Sequence, residues 1–550
     1  MVETALPIHV PSSLDASISD TTTATPDFLD LQRSLSADYR SKFIEHSPIY
    51  EKAFRHPGPA NLSQHAPAKP TASEEDDPWA NKAVLCLDGG GVRGLSSLFV
   101  LERLMEVIAT CERNKDDPAT TSADSPLLKP QRIQEEMQRL SPAQTTKSNF
   151  LPCHYFDYIA GTSTGGLIAI LLGRLRMSVS SVMQEYLDLS SRVFAEREWK
   201  HLPQVRSLFH RRNNKEDILV DKIASLGSPA SDEDGERKEG ERIFQSDGTR
   251  CRTIVCSLRR NMKSGSMAPF LFRSYDRAVA VDHSSPPPSP EASSFPISEV
   301  VRATVRAQDS LKSVHLGEGR YCDAGMGLNN PSIHVYQEVV RLHQQTQGSA
   351  MFDPVSLFLS IGSGFSHSDA SKNSSSSDER DTLGHLFSKV GRALYAISES
   401  VHRSMEDLHK SSKPFSYYRF DVPDALNSIA LDKWNNSSSP NSTYSRIRVA
   451  TLSYLDTQRC QDSLAECAKN LVDRRRKRCG DAQWETFAFG TRYWCEHLNL
   501  CDHKKGGAKP FETRDELLNH LRLEHLMPPP DADHDTEIKK LVEKGRTNSD

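Results

Sequence analysis

Apolar positions fall into short blocks separated by glycine-rich turns. AVLCLD (Ala83–Asp88) is a continuous apolar run with an acidic end, as a strand buried on both faces requires. GGGVRG follows, and LSSLFVLERLMEVIATCER then carries apolar residues at helical spacing. The pattern repeats: YFDYIA predicts a second strand, GTSTGG a turn and LIAILLGRLRM an apolar helix. Strand, glycine turn and helix, twice over, predict an α/β fold. Further strands are predicted at TIVCSL, PFLFRSYD, RYCDA and SLFLSIG. Helices are predicted at SVSSVMQEYLDLSSRVFAERE, HVYQEVVRLHQQ and TQRCQDSLAECAKNLVDRRRKR, the last closing the unit near Cys479.

Between these blocks the chain is polar. Residues 1–79 are rich in Ser, Thr, Pro and Ala, end in TASEEDDP, and read as disordered, with one weak helical patch at Phe28–His46. Polar insertions are expected at Asn114–Ser148, Gly227–Gly240, His283–Pro290 and His367–Asp381. They account for the composition. Counted with Gly and without Tyr, the apolar share is about 40%, below the roughly 45–50% of ordinary globular chains. The expected organisation is a disordered region at 1–79, a catalytic domain at 80–480, a Cys/His module at 490–527 and a polar tail at 528–550.

Charge and hydropathy narrow the classes. Lys plus Arg total 68 and Asp plus Glu 73, a formal net charge of −5, which excludes a basic nucleic-acid coat and a strongly acidic tail protein. The strongest apolar run, LIAILL at Leu167–Leu172, falls short of the about 20 residues of a membrane span. MVETALPIHVPSS has no basic stretch followed by an apolar one, so no secretory leader is expected. The odd count of 11 Cys fits a reducing compartment better than a disulfide framework.

Two glycine turns carry candidate chemistry. GTSTG (Gly161–Gly165) matches G-x-S-x-G. A nucleophilic serine at the tip of a sharp strand-to-helix turn needs small neighbours, and the helix N-terminus behind it lends positive potential. DGGGVRG (Asp88–Gly94) also satisfies G-x-G-x-x-G, the dinucleotide fingerprint. That fold needs a second strand ending in an acidic residue about 20 residues on; here a long helix fills the space, with Glu112 in its polar end. The other reading is a row of backbone N–H groups that binds an anion. Beside a nucleophilic serine, that anion is the tetrahedral oxyanion of acyl transfer. Arg93 either adds positive charge there or salt-bridges the loop.

These two segments together resemble the patatin-like phospholipases, the calcium-independent phospholipase A enzymes. The resemblance rests on DGGGVRG as the oxyanion loop, GTSTG as the nucleophile motif and DAG (Asp323–Gly325) as the third motif, followed by NNP (Asn329–Pro331). LFRSYD and ISEVVRAT also look like family segments, and the likeness covers roughly Lys82–Cys479. It implies a three-layer α/β/α domain with a mainly parallel central sheet. It implies a Ser–Asp dyad in which Ser163 attacks an ester carbonyl and Asp323 accepts its proton. An oxyanion hole would come from Gly89, Gly90, Gly91, Arg93 and Thr164. Neither calcium nor a catalytic cofactor is implied. The substrate would be a membrane glycerolipid or phospholipid, met by a cytoplasmic protein peripheral on the membrane.

Two departures stand out. Ala324 replaces the middle glycine of the third motif, and VRAQDSL follows ISEVVRAT where the family has small residues and Pro. The second leaves room for a catalytically idle lipid-binding or scaffolding protein. His154, close to Ser163 in sequence, is read as structural, at a strand start.

Near the C-terminus Cys495, Cys501, His520 and His525 are spaced C-x5-C-x18-H-x4-H, with Phe511 and Leu517 at the core positions of a two-Cys, two-His zinc finger. RDELLNHLRLEH is its expected helix, structural zinc its expected ion, and His497 and His503 are spare ligands. One degenerate finger on an acidic chain favours a protein partner or a supporting role over nucleic acid. A finger-based regulator remains the third reading. RRRKR (Arg474–Arg478) reads as a solvated helix end, with nuclear import or anionic lipid as its functional alternatives.

Overall fold

The computed structural model describes residues 77–113, 150–193, 215–227, 242–261, 267–276, 295–305, 314–317, 319–324, 328–347, 353–364, 398–411, 415–422, 439–496, 510–525 and 535–548, with single positions at 425–426, 429, 431, 434–435 and 501. The helical patch at Phe28–His46 and nearly all of the expected insertions lie outside the described residues.

Each apolar block forms the predicted element. In chain order these are β1 (Lys82–Leu87), α1 (Gly94–Arg113), β2 (Tyr158–Thr162), α2 (Thr164–Ala169), α3 (Val179–Val193), α4 (Lys215–Gly227), β3 (Arg252–Arg260), β4 (Met267–Arg273), α5 (Ile297–Val305), β5 (Val314–Leu316), β6 (Gly319–Cys322), α6 (Ser332–Gln347) and β7 (Val355–Ile361). There follow α7 (398–411), β8 (Ser416–Phe420), α8 (Thr443–Leu455), α9 (Gln458–Cys479), α10 (Gln483–Phe489), β9 (Thr491–Tyr493), α11 (Arg514–Glu524), α12 (Asp535–Gly545) and β10 (Arg546–Asn548).

The main sheet runs β5-β6-β3-β2-β1-β7-β8, with β4 also on β3. The β3-β2-β1-β7-β8 stretch is parallel, and β4, β5 and β6 enter antiparallel. Alternate residues of β1 face opposite ways. Ala83, Leu85 and Leu87 pack in the cluster that holds α1, α3, α8 and α9, while Val84 and Cys86 pack with Val335, Val339, Val401 and Met405 of α6 and α7. Helices on both faces make the α/β/α layering, and continuous burial of the central strands explains their unbroken apolar runs.

β3 acts as a ruler that sets the site. Along one edge it pairs with β4 from Ile254 to Arg260. Its other edge must therefore serve both β2, at 252–256, and β6, at 258–260. The end of β2 and the end of β6 meet there. Thr162 lies beside Cys256 and Cys322 beside Leu258, so the residues that follow, Ser163 and Asp323, emerge together.

One expectation is corrected, and three features carry no expectation from the sequence. SYYRF, not among the predicted strands despite its three aromatic residues, forms β8, a parallel strand beside β7. Glu112, in the polar end of α1, is buried: Arg475 grips it through two bonds of 2.6 and 2.9 Å, and Arg476 adds a third. The run RRRKR is likewise no solvated helix end. Arg474 and Arg478 pair with buried Asp157, Arg475 and Arg476 with Glu112, and Arg478 is 1% exposed. The basic run therefore clamps α9 to the sheet and α1. Finally, the polar tail carries α12 and β10. α12 places Ile538 and Val542 in a small core, and β10 pairs with β9.

Candidate active site

Ser163 sits on the turn between β2 and α2 with φ 53° and ψ −128°, a conformation that strains a non-glycine residue by about 1–3 kcal/mol. The turn is possible because of its glycines. A Cβ at Gly161 would overlap the carbonyl of Gly165, and one at Gly165 would overlap the carbonyls of Leu87 and Asp88. A Cβ at Gly89 would press on the Ser163 side chain. The small residues of both motifs are thus required by the mutual approach of two turns.

Two bonds hold the serine, and a third backs one of them. Its Oγ donates to Asp323 Oδ2 at 2.8 Å. Its backbone N–H donates to Thr304 Oγ1 at 2.8 Å, and that hydroxyl donates in turn to the carbonyl of Cys256 at 2.7 Å. Asp323 is fixed from behind, since Ser257 Oγ lies 2.7 Å from the carbonyl of Cys322. Ser163 is 9% exposed, and Asp323 is half-buried beside it.

The glycine loop differs in detail from expectation. The N–H of Gly89 donates to the carbonyl of Asn329 (3.1 Å) and that of Gly90 to Thr164 Oγ1 (3.2 Å). Both shape the loop. Among the described residues no partner takes the N–H of Gly91, which has φ 53°, or that of Thr164 at the start of α2. Of the two readings of Arg93, its contacts favour the structural one: its guanidinium binds the carbonyls of Ile429 and Gly364, stapling the loop to the segments after β8 and β7. Tyr186 of α3 binds the carbonyl of Gly91.

Asp88 anchors the loop from below. It is 2% exposed and is held by Arg419 of β8 through bonds of 3.0 and 2.7 Å, with Ser398 Oγ at 3.1 Å. Burial raises the carboxyl to about 6 despite the opposing guanidinium. Arg419 and Thr304 escaped notice in the sequence. Thr304 had a signal, as the last residue of ISEVVRAT; Arg419 had none, because its partner lies 331 positions away.

His154 stays structural. It packs edge-on against Trp484 and Phe489, and Arg176 bridges its Nε2 and the carbonyl of Ala488. Burial, then Arg176, lowers its pKa well below the ordinary value.

A second cluster lies at the C-terminus. The ligand atoms of Cys495, Cys501, His520 and His525 all lie within 4.8 Å of one another. Cys495 Sγ to His525 Nε2 and Cys501 Sγ to His520 Nε2 are each 3.3 Å, and the two Nε2 atoms are 3.1 Å apart. A tetrahedron with zinc bonds of about 2.0–2.3 Å has edges of about 3.3–3.8 Å; both Cys–His separations match it, the Nε2 pair is a little short of it, and two thiols with two imidazoles are a donor set that suits zinc. Thr513 and Glu516 form a capping box that starts α11, and Leu517 and Leu521 fill the core beneath it. His497 and His503 lie outside the described residues.

Comparison with known proteins follows the same lines. The family described as patatin-like phospholipase matches residues 85–334. Calcium-independent phospholipase A2-gamma of Mus musculus is 24% identical over 358 residues, 64% of this chain and 36% of that protein. The Homo sapiens protein of that name is 22% identical over 361 residues, again 64% of this chain and 36% of that protein. Phospholipase A I of Arabidopsis thaliana is 23% identical over 394 residues, 64% of this chain and 25% of that protein. The chain thus spans about a third or less of the length of these curated relatives. The solved structure of VipD from Legionella pneumophila aligns over 84% of this chain and 83% of its own at 10% identity and a TM-score of 0.25, a likeness too slight to bear on the fold. The glycine loop, the serine turn and the aspartate opposite them all fall within the matched span, and the chain accordingly carries a patatin-like phospholipase domain at residues 85–334.

Proposed function

We propose that the chain is a calcium-independent lipid acyl hydrolase that cleaves carboxylic esters of membrane glycerolipids or phospholipids through an acyl-enzyme on Ser163. The bond of 2.8 Å between Ser163 Oγ and Asp323 Oδ2 carries this reading. A nucleophile already bonded to its base loses its proton as the new C–O bond forms, so no free alkoxide is needed. The carbonyl oxygen becomes an oxyanion, for which the N–H groups of Gly91 and Thr164 are the candidate donors. Gly89 and Gly90 support them through the loop's shape. Protonated Asp323 then returns the proton to the leaving alcohol. Water, deprotonated by the same carboxylate, attacks the acyl-serine and frees the fatty acid. Backbone donors stand where a metal would otherwise polarise the carbonyl, which agrees with the names of the mammalian relatives.

No helix among the described residues is long and apolar enough to cross a membrane. Ester turnover on phospholipid vesicles in EDTA tests the reading. Ser163→Ala should lower it about ten-thousand-fold or more at an unchanged melting temperature. Turnover equal to wild type in that variant would refute the assignment.

Cys495, Cys501, His520 and His525 are proposed to hold one structural zinc ion. When bound, zinc supplies a tetrahedral cross-link between the turn after β9 and α11. Metal analysis should find one zinc per chain, lost together with part of the thermal stability in Cys495→Ala. A chain that retains no zinc after reconstitution would contradict the site. A nucleic-acid role for the module loses electrostatic support, because the neighbouring basic run is engaged in buried ion pairs.

A further inference from the structure

At the end of the sheet opposite the dyad, the first residues of three parallel strands surround a cavity of about 250 Å³. Lys82 begins β1, Tyr158 begins β2 and Arg252 begins β3, with Tyr158 and Arg252 in register. Ser163 lies five residues further along β2, about 17 Å away at the rise of an extended strand. Arg250 also lines the cavity; Thr486 of α10 closes it together with Glu512 and Thr513 of the Cys/His module.

The charges do not cancel. The cavity's buried carboxylate, Asp157, is engaged by Arg474 and Arg478 at 2.8 and 2.9 Å. Lys82 Nζ donates to the carbonyl of Trp79 and has no ion-pair partner among the described residues. Arg252 likewise binds neutral groups, the hydroxyl of Tyr158 (2.6 Å) and the carbonyl of Gly248 (3.1 Å). Glu512 stands exposed at the rim. Burial foremost lowers the Lys82 ammonium to about 8; Asp157 opposes this, while Arg478, Arg474 and Arg252 add to it. Confining cations this way costs free energy that a bound anion would return.

We propose that this cavity binds a phosphate group, held by the Lys82 ammonium and the Arg252 guanidinium and carried either by free phosphate or by a small phosphomonoester. An ammonium and a planar guanidinium together suit the several acceptor oxygens of a phosphate. Because Thr486 Oγ1 also bonds the carbonyl of Glu512, the anion would sit on the seam that joins the sheet to the Cys/His module. The site would therefore tie the two together at a distance from the ester chemistry, and it stands whether or not Ser163 is the nucleophile.

Calorimetric titration of the full-length protein with inorganic phosphate, and separately with glycerol 3-phosphate, tests the proposal. Saturable one-to-one binding is expected, weakened about tenfold or more in Lys82→Gln and in Arg252→Gln. Tighter binding of glycerol 3-phosphate would assign the phosphomonoester as ligand, and equal binding the free ion. A measurement on wild type alone accompanies it: millimolar phosphate should slow acetylation of Lys82 relative to exposed Lys410 and Lys544, read by mass spectrometry. Absence of saturable binding, undiminished binding in both folded variants, or equal Lys82 acetylation with and without phosphate would overturn the proposal.

Discussion

Arg419→Met tests whether the glycine loop is held in place by a buried ion pair. The substitution removes both bonds to Asp88, at 3.0 and 2.7 Å, together with the 2.7 Å bond to Ser360 Oγ and the 2.6 Å bond to the more exposed Asp421. Asp88 is then left with the Ser398 hydroxyl at 3.1 Å. Breaking a buried pair from one side costs about 3–5 kcal/mol, because a desolvated charge stays behind. At roughly 2–4 °C per kcal/mol, the melting temperature should fall by about 10 °C. Asp88→Asn in the same chain removes the stranded charge and should recover most of the loss. The pH dependence has a definite sign. Asp88 already lies near 6 with its partner present, and without Arg419 it rises further. A carboxyl raised above its unfolded value contributes stability at low pH and loses it as pH climbs through the folded value. The penalty should thus be largest near about pH 8 and shrink toward about pH 5. Thermal unfolding of wild type, both single variants and the double variant at the two pH values measures all of this. A melting temperature for Arg419→Met within a degree or so of wild type near about pH 8, or a penalty that does not shrink in acid, would show that the pair does not hold the loop.

Thr304→Val keeps the shape of the side chain but leaves the Ser163 N–H and the Cys256 carbonyl without their shared hydroxyl. It should cost about 1–3 kcal/mol of stability and lower kcat, while Thr304→Ser restores both; equal kcat in wild type and Thr304→Val would count against the positioning role. At Asp157, burial pushes the carboxyl up, but Arg478, Arg474 and Lys82 outweigh it and hold the group well below its ordinary 3.8. A depressed carboxyl stabilises above its unfolded value and stops doing so in acid. The gap in melting temperature between wild type and Asp157→Asn should therefore be wide at neutral pH and close as pH falls below about 4; a gap that persists there would argue against the ion pairs.

Local pattern was enough for the elements that carry the motifs. The apolar runs around Leu85 and Ile159 and the glycines on either side of Ser163 are short-range features. Burial on both faces of a strand, and the crowding of a Cβ by a neighbouring carbonyl, leave their mark on consecutive residues. The Cys/His spacing belongs to the same class, since short sequence intervals bring its four side chains within 4.8 Å of one another. Tertiary structure alone decided the rest. Ser163 and Asp323 meet because β2 and β6 share one edge of β3, a pairing that spans 160 positions and depends on register. The same holds for Asp88 with Arg419, and for Glu112 with the basic run of α9. In the sequence those charges look solvated. Folding buries each beside a distant partner, and only the register of strands and the docking of α9 determine which charges meet.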